Sequence, residues 1–193
     1  MDILICGVGG QGTVLASRLL AWIAMEKGLT ARTAETIGMA QRGGSVVSHV
    51  RTGHVIFSPM IPIGGADVIL ALEPAEAVRC YPYLKQGGAM LINTTPIQPI
   101  TASLAGKPYD AQAMIDSLTA THADVHLLDG PAVCAACGSP KALNTAMLAT
   151  AVKLGLLDVT LEELRAAIIS RTREKFHALN LRAIDYVTEE ATL

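Results

Sequence analysis

Aromatic side chains are scarce. One Trp, two Phe and four Tyr make up 4% of the 193 residues. A platform that stacks single-stranded nucleic acid needs more rings than this. Neither sign of charge dominates: 15 Lys and Arg stand against 17 Asp and Glu, a net charge of −2. That balance argues against nucleic acid and against an anionic membrane surface. Long apolar runs are missing too. Leu19 to Met25 is the longest near the start, far short of a bilayer span. Met1 and Asp2 lead straight into Ile3-Leu4-Ile5, without the basic region, apolar stretch and cleavage site of a targeting segment. The expectation is a cytoplasmic chain with no membrane contact.

Cysteine is sparse as well. Cys6, Cys80, Cys134 and Cys137 lie in apolar or helical sequence, which suits free buried thiols in a reducing compartment and excludes a disulfide framework. Cys134-x-x-Cys137 lacks a second pair or a ligating His pair, so a zinc or iron–sulfur site is not expected there. His122 and His126 are four apart but straddle a helix-to-strand break. The chain has no GxSxG elbow, no HExxH and no GxxxxGK[ST] loop. Leu128 precedes Asp129-Gly130, so the Gly-Asp-Gly that opens a thiamine diphosphate and magnesium site is absent there. Local sequence assembles no acid–base or nucleophile–base pair.

What is present is an alternation of strands and helices. Asp2–Cys6 reads as a buried strand, Gly10–Lys27 as a helix closed by Gly28, and Leu29–Thr36 as a second strand, together a parallel β-α-β unit. Ser45–Arg51 and Val55–Phe57 read as a hairpin around Thr52-Gly53-His54. Ala66–Leu72, Ala89–Asn93 and Val125–Leu128 are further strands; Glu73-Pro74 and Asp110 open helices. From Gly130 onward the chain is helical, with a capping box at Thr160-x-x-Glu163. In the last helix Phe176, Leu179, Ala183 and Val187 form one stripe. The expected fold is α/β: a Rossmann-like three-layer sandwich with a mostly parallel sheet and a helical C-terminal segment, one domain over residues 1–193.

Two glycine-rich segments stand out. Gly7-x-Gly9-x-x-Gly12, with Gly10 and Gln11 inside it, joins the first strand to the first helix. Gly7 allows the tight turn, Gly9 a close backbone approach and Gly12 close helix–strand packing, while the helix start offers free N–H groups. Glu35 lies 23 residues beyond Gly12, near the spacing of a ribose-binding acid. The turn serves either a dinucleotide or packing alone. The second segment is Gln41-Arg42-Gly43-Gly44-Ser45, an anion nest or a docking loop for a partner carboxylate. In the strand that follows, Ser45, His49 and Arg51 share a polar face that calls for solvent, a ligand or a partner.

The segments "GVGGQG" and "AETIGMAQRGGSVVSHVR" resemble the gamma-type subunits of the 2-oxoacid:ferredoxin oxidoreductases, and most of all the small subunits of the indolepyruvate branch. Further matching segments are 58–79, 83–88, 138–157 and 176–186, so the resemblance covers nearly the whole chain. It implies oxidative decarboxylation of aryl pyruvates to aryl-acetyl-CoA, with CoA as co-substrate and ferredoxin as acceptor, carried out as a heterodimer or higher heteromer. It also implies that thiamine diphosphate, magnesium and iron–sulfur clusters belong to the large subunit. Under this reading the chain has no catalytic residue of its own and no bound metal. Gly7, Gly9, Gly10, Gln11, Gly12, Gln41, Arg42, Gly43, Gly44 and Ser45 then shape a face toward the large subunit, near its cofactor or a CoA phosphate, rather than an NAD site. That reading also expects an exposed apolar patch, with Trp22 or the Met39 loop as candidates. The alternatives are the gamma subunit of a pyruvate or 2-oxoglutarate ferredoxin oxidoreductase, and a stand-alone nucleotide-binding module.

Overall fold

The computed structural model describes residues 1–37, 44–98 and 109–189. Its strands are β1 (Asp2–Val8), β2 (Thr30–Ile37), β3 (Ser45–Gly53), β4 (Ala66–Ala71), β5 (Leu84–Asn93) and β6 (Asp124–Leu128). Its helices are α1 (Thr13–Glu26), α2 (Pro74–Cys80), α3 (Ala111–Thr119), α4 (Gly130–Cys137), α5 (Leu143–Lys153), α6 (Leu161–Arg171) and α7 (His177–Glu189). The strands form one sheet in the order β2-β3-β1-β4-β5-β6. The three-layer α/β fold with a helical C-terminal segment is the one expected.

Strand alternation builds the layers. Ile3 and Ile5 of β1, Val68 and Leu70 of β4 and Leu91 of β5 face a core supplied by α1 and α4–α7. Leu4, Cys6, Ile69, Ala71, Met90 and Ile92 face the other way, toward α2 and α3. The sheet is therefore covered on both faces, which explains why β1, β4 and β5 read as continuous apolar runs.

Two expectations about connectivity are corrected. β1 and β2 are not neighbours. β3 lies between them and is antiparallel to both. Residues 38–44 link β2 to β3, and a parallel return needs about a dozen residues or more, so so short a link forces a hairpin. Residues Val55–Phe57 form no strand. The chain from His54 to Gly65 instead folds back over the β1–β3 face. Ile61 is buried there beside Leu4 and Ile69, and its N–H donates to His49 Nδ1 at 3.2 Å.

At α6 the Thr160 side chain accepts the Glu163 N–H and Glu163 answers to the Thr160 N–H, so the expected capping box is formed.

Candidate functional site

β1 ends at the carboxyl edge of the sheet, where the glycine turn begins. Gln11 folds back into the turn. Its Oε1 accepts the Val8 N–H at 2.7 Å and its Nε2 donates to the Leu72 carbonyl at 2.7 Å. Asn93, at the end of β5, donates to the same carbonyl at 2.9 Å. One carbonyl after β4 thus ties the ends of three adjacent strands. A Cβ at Gly7 would stand 2.6 Å from Gln11 Oε1 and 3.0 Å from Leu72 Cβ, so a side chain here would displace the Gln11 brace.

Gly12 has φ +84°, and an added Cβ would meet Asn144 Nδ2 of α5 at 2.4 Å. Packing of α5 onto the turn therefore demands this glycine on both counts. Gly12 is the N-cap of α1 and supplies no side-chain cap. Among the described residues no side chain caps the first turn of α1, whose N–H groups suit a ligand, water or a partner.

The two glycine segments meet. The Gly9 N–H donates to the Gly44 carbonyl at 2.9 Å. Ser45 Oγ donates to Glu76 Oε2 at 2.6 Å, so the start of β3 is fastened to α2. Gln41, Arg42 and Gly43 lie outside the described residues.

Opposite the turn, Lys141, Asn144, Thr172, Phe176, Leu179 and Asn180 enclose a cleft of about 230 Å³ with Gly10, Gln11, Gly12 and Leu15. Leu15, Leu179 and Phe176 give it an apolar wall. The Lys141 and Lys175 ammonium groups lie 5.7 and 5.1 Å from the centre of the Phe176 ring. Asn180 is held from both ends: its Oδ1 accepts the Thr145 hydroxyl at 2.6 Å, and its Nδ2 donates to the Phe176 carbonyl. Open N–H groups, lysine charge and an apolar wall suit an anionic group joined to an apolar body. The residues after Ser139 were not singled out as site residues from sequence. Their signal was the resemblance over 138–157 and 176–186, and only the packing of α5 and α7 against the turn brings them to it.

Two carboxylates lie buried beside this edge. Glu73 caps α2 through the Glu76 N–H and also accepts the Ile97 N–H and the Tyr109 hydroxyl. Burial first, and the Glu73 carboxylate next, hold the Tyr109 phenol above its ordinary range. Glu76 is met by Ser45 and Arg79. Both acids have structural partners, as buried charge requires.

The polar face of β3 is satisfied internally. Arg51 clasps Asp2 with two bonds of 2.9 Å and donates to the Ser58 and Met60 carbonyls. His49 accepts from Ile61, and burial pulls its pKa below 6.5. The surface expected to want solvent, a ligand or a partner is the seat of the chain's own 54–65 loop. Glu35 is likewise displaced from the role its spacing suggested. β2 stands one strand further from the turn than in a dinucleotide fold, and the Glu35 carboxylate accepts the Ser17 hydroxyl of α1.

Cys6 and Cys80 share one core, and Cys134 and Cys137 lie on α4. The neighbouring Cys80 thiol first, and burial second, keep the Cys6 thiol protonated well above its ordinary value. Among the described residues no three His, Cys, Asp or Glu converge to hold a metal. The cysteine set does not fit an iron–sulfur cluster, which needs four converging thiolates or their equivalents. Trp22, a candidate for an exposed apolar patch, is partly buried against the main core, and Met39 lies outside the described residues. No described helix is long and apolar enough to cross a membrane.

A Rossmann-like sheet with one reversed strand and a glycine turn facing a cleft defines an α/β fold whose carboxyl edge carries the candidate site. The chain belongs to the pyruvate ferredoxin/flavodoxin oxidoreductase family, whose pattern matches residues 2–190. It is 38% identical over 186 residues to the indolepyruvate oxidoreductase subunit IorB of Archaeoglobus fulgidus, covering 95% of this chain and 92% of that one. Among solved structures it resembles the gamma subunit of a keto/oxoacid ferredoxin oxidoreductase from Geobacter sulfurreducens, at 25% identity and TM-score 0.70, over 97% of this chain and 96% of that one. The fold also occurs inside a longer chain. A 2-oxoglutarate:ferredoxin oxidoreductase from Magnetococcus marinus matches 97% of this chain with 30% of its own, at TM-score 0.72 and 17% identity.

Proposed function

We propose that this chain is the small subunit of a cytoplasmic indolepyruvate ferredoxin oxidoreductase. With a large subunit it supports the thiamine-diphosphate-dependent, CoA- and ferredoxin-linked oxidative decarboxylation of aryl pyruvates. The observation that carries this reading is the 38% identity, sustained over 95% of the chain, to an indolepyruvate oxidoreductase subunit. Thiamine diphosphate, magnesium and iron–sulfur clusters reside in the large subunit on this reading. The poor fit of four dispersed cysteines to a cluster supports that division.

The part played by this chain is to present the carboxyl edge. The turn Gly7–Gly12, with Gly44 and Ser45 beside it, forms a rigid rim, and Gln41 to Gly43 complete the segment that faces the large subunit. The cleft against Lys141 and Phe176 is suited to the phosphate-bearing end of CoA, with the α1 N-terminus and lysine charge opposing the anion. No side chain of this chain takes part in bond breaking.

The test is to purify the native complex through this chain and follow viologen reduction with indolepyruvate, phenylpyruvate and pyruvate in the presence of CoA. Preference for the aryl substrates is expected. Preference for pyruvate moves the chain to a pyruvate enzyme. Turnover by the 20.2 kDa chain alone, or micromolar NAD binding to it, overturns the assignment.

A further inference from the structure

The smaller of the two cores holds a pair of thiols that the proposed function leaves idle. Cys6 lies in β1, one residue before Gly7, and is 0% exposed. Cys80 is the last residue of α2 and is 2% exposed. They are far apart in sequence, yet both belong to one cluster with Leu4, Ile69, Ala77 and Ile92. Cys6 Sγ donates to the Glu76 carbonyl at 3.5 Å. An α-helical carbonyl faces the N–H four residues on, so this carbonyl belongs to the turn of α2 that Cys80 completes. The Cys6 sulfur is thus aimed at the helical turn that carries the Cys80 sulfur. Both are free thiols.

We infer that Cys6 and Cys80 form a dithiol that a peroxide converts to an intramolecular disulfide, tying β1 to the end of α2 beside the glycine turn. This goes beyond the role in the heteromer and belongs to the chain by itself.

The chemistry balances within the pair. The Cys80 thiolate attacks one oxygen of the peroxide and the O–O bond breaks. The other oxygen leaves as water with the proton Cys80 gave up, and Cys80 becomes a sulfenic acid. The Cys6 sulfur then attacks the Cys80 sulfur, the S–O bond breaks, and a second water leaves with the Cys6 proton. The two thiols lose two hydrogens and two electrons, and one hydrogen peroxide is reduced to two waters. The surroundings assign the roles. The Cys80 thiol first, then burial and the carboxylates of Glu76 and Glu73, keep Cys6 protonated. The hydrogen bond from Cys6 draws Cys80 below its ordinary value, against the opposing pull of burial, so Cys80 is the nucleophile. Peroxide is small, and α2 has only seven residues, so a local opening of that helix admits it without unravelling the sheet.

The other two cysteines cannot take this part. Cys134 and Cys137 lie three apart on α4. Side chains at that spacing have their Cβ atoms about 5–6 Å apart, beyond the ~3.5–4.5 Å that a disulfide spans. The consequence of the bond lies at the rim. Cys6 adjoins the glycine turn, and α2 carries the Glu76 carboxylate that holds Ser45, so one covalent link fastens the footing of both glycine segments.

The test treats the folded, reduced chain with a small excess of hydrogen peroxide, alkylates the remaining thiols in urea and maps the peptides by mass spectrometry. A Cys6–Cys80 linkage two hydrogens lighter than the thiol pair, reversed by dithiothreitol, is expected. The oxidised chain should keep its circular dichroism spectrum, and its unfolding constant in urea should fall about 100-fold, the usual effect of closing a long loop. Cys134→Ala, Cys137→Ala leaves the α2 side of the sheet untouched and should form the link in full, while Cys80→Ala should form none. Alkylation of both Cys6 and Cys80 after peroxide treatment overturns the inference. So does a link that joins Cys134 to Cys137, a link lost in the Cys134→Ala, Cys137→Ala variant, or a Cys6–Cys80 link that forms only after the chain is unfolded.

Discussion

Gly10 and Gly12 sit two residues apart in one turn, both at positive φ, yet they should respond differently to the same added methyl group. At Gly10, φ is +101° and nothing lies within 4 Å of an added Cβ. Gly10→Ala should cost only the left-handed backbone penalty, about 1–2 kcal/mol. At Gly12, φ is +84° and the new Cβ would stand 2.4 Å from Asn144 Nδ2. The Asn144 side chain must then move. It gives up its Oδ1 bond from the Thr145 N–H at 2.8 Å and its weaker bond to the Gly12 carbonyl at 3.4 Å. Each lost bond costs about 1 kcal/mol, so Gly12→Ala, with the backbone penalty included, should cost about 3–4 kcal/mol in total, a midpoint drop on the order of 10 °C for a domain of this size. Urea unfolding of both variants, each also made in an Asn144→Ala background, measures the difference. With Asn144 truncated, the nearest remaining side-chain atom is its Cβ at 3.5 Å, an ordinary contact. The two glycine variants should then cost the same. If Gly10→Ala is the more damaging, or if Asn144→Ala leaves the gap between them unchanged, the account of the turn as a packing seat for α5 is wrong.

Three further outcomes follow from the same structure. Gln11→Ala removes the acceptor for the Val8 N–H and a donor to the Leu72 carbonyl, and should destabilise by about 1–3 kcal/mol in urea titration. His49 is buried neutral with its pKa pulled below 6.5, so the unfolded chain takes up its proton first as pH falls. Stability should be complete above pH 6.5 and decline below it, with loss of the bond from Ile61; thermal scans from pH 7.5 to 5 should show a flatter profile for His49→Asn. The Ser48 and Thr150 hydroxyls are buried without a hydrogen-bond partner among the described residues, so Ser48→Ala and Thr150→Val should each raise the thermal midpoint, by about 1 kcal/mol of added stability.

The parts of the fold set by local pattern were legible in the sequence. The apolar run Ile3–Cys6, the Glu73-Pro74 helix start and the Thr160-x-x-Glu163 box each carry their signal within a few residues, and each forms as read. Strand order was not legible. Nothing local in Ser45–Arg51 says that it inserts between two strands joined by a helix, because that choice is made by the length of the 38–44 link and by packing. The same holds for Ser45, His49 and Arg51. Their alternation was correct, but the partner that satisfies His49 and Arg51 is a loop of the same chain, and no periodicity reveals a loop folding back. At the glycine turn, sequence marked the right residues, while Gln11 as the brace and Asn144 as the opposing wall required the tertiary structure. Phe57 was hidden for the opposite reason: its segment Val55–Phe57 reads as a strand, and only exposure distinguishes it.

The single reversed strand has an outcome for how this domain could vary. Because β3 enters the sheet where β1 leaves it, the connection from β2 turns back at the rim instead of crossing a face. The paired residues of the two strands, Thr30–Ile37 and Val46–Gly53, lie outside that link. The Leu72 carbonyl, gripped by Gln11 and Asn93, holds the ends of β1, β4 and β5 together whatever that link carries.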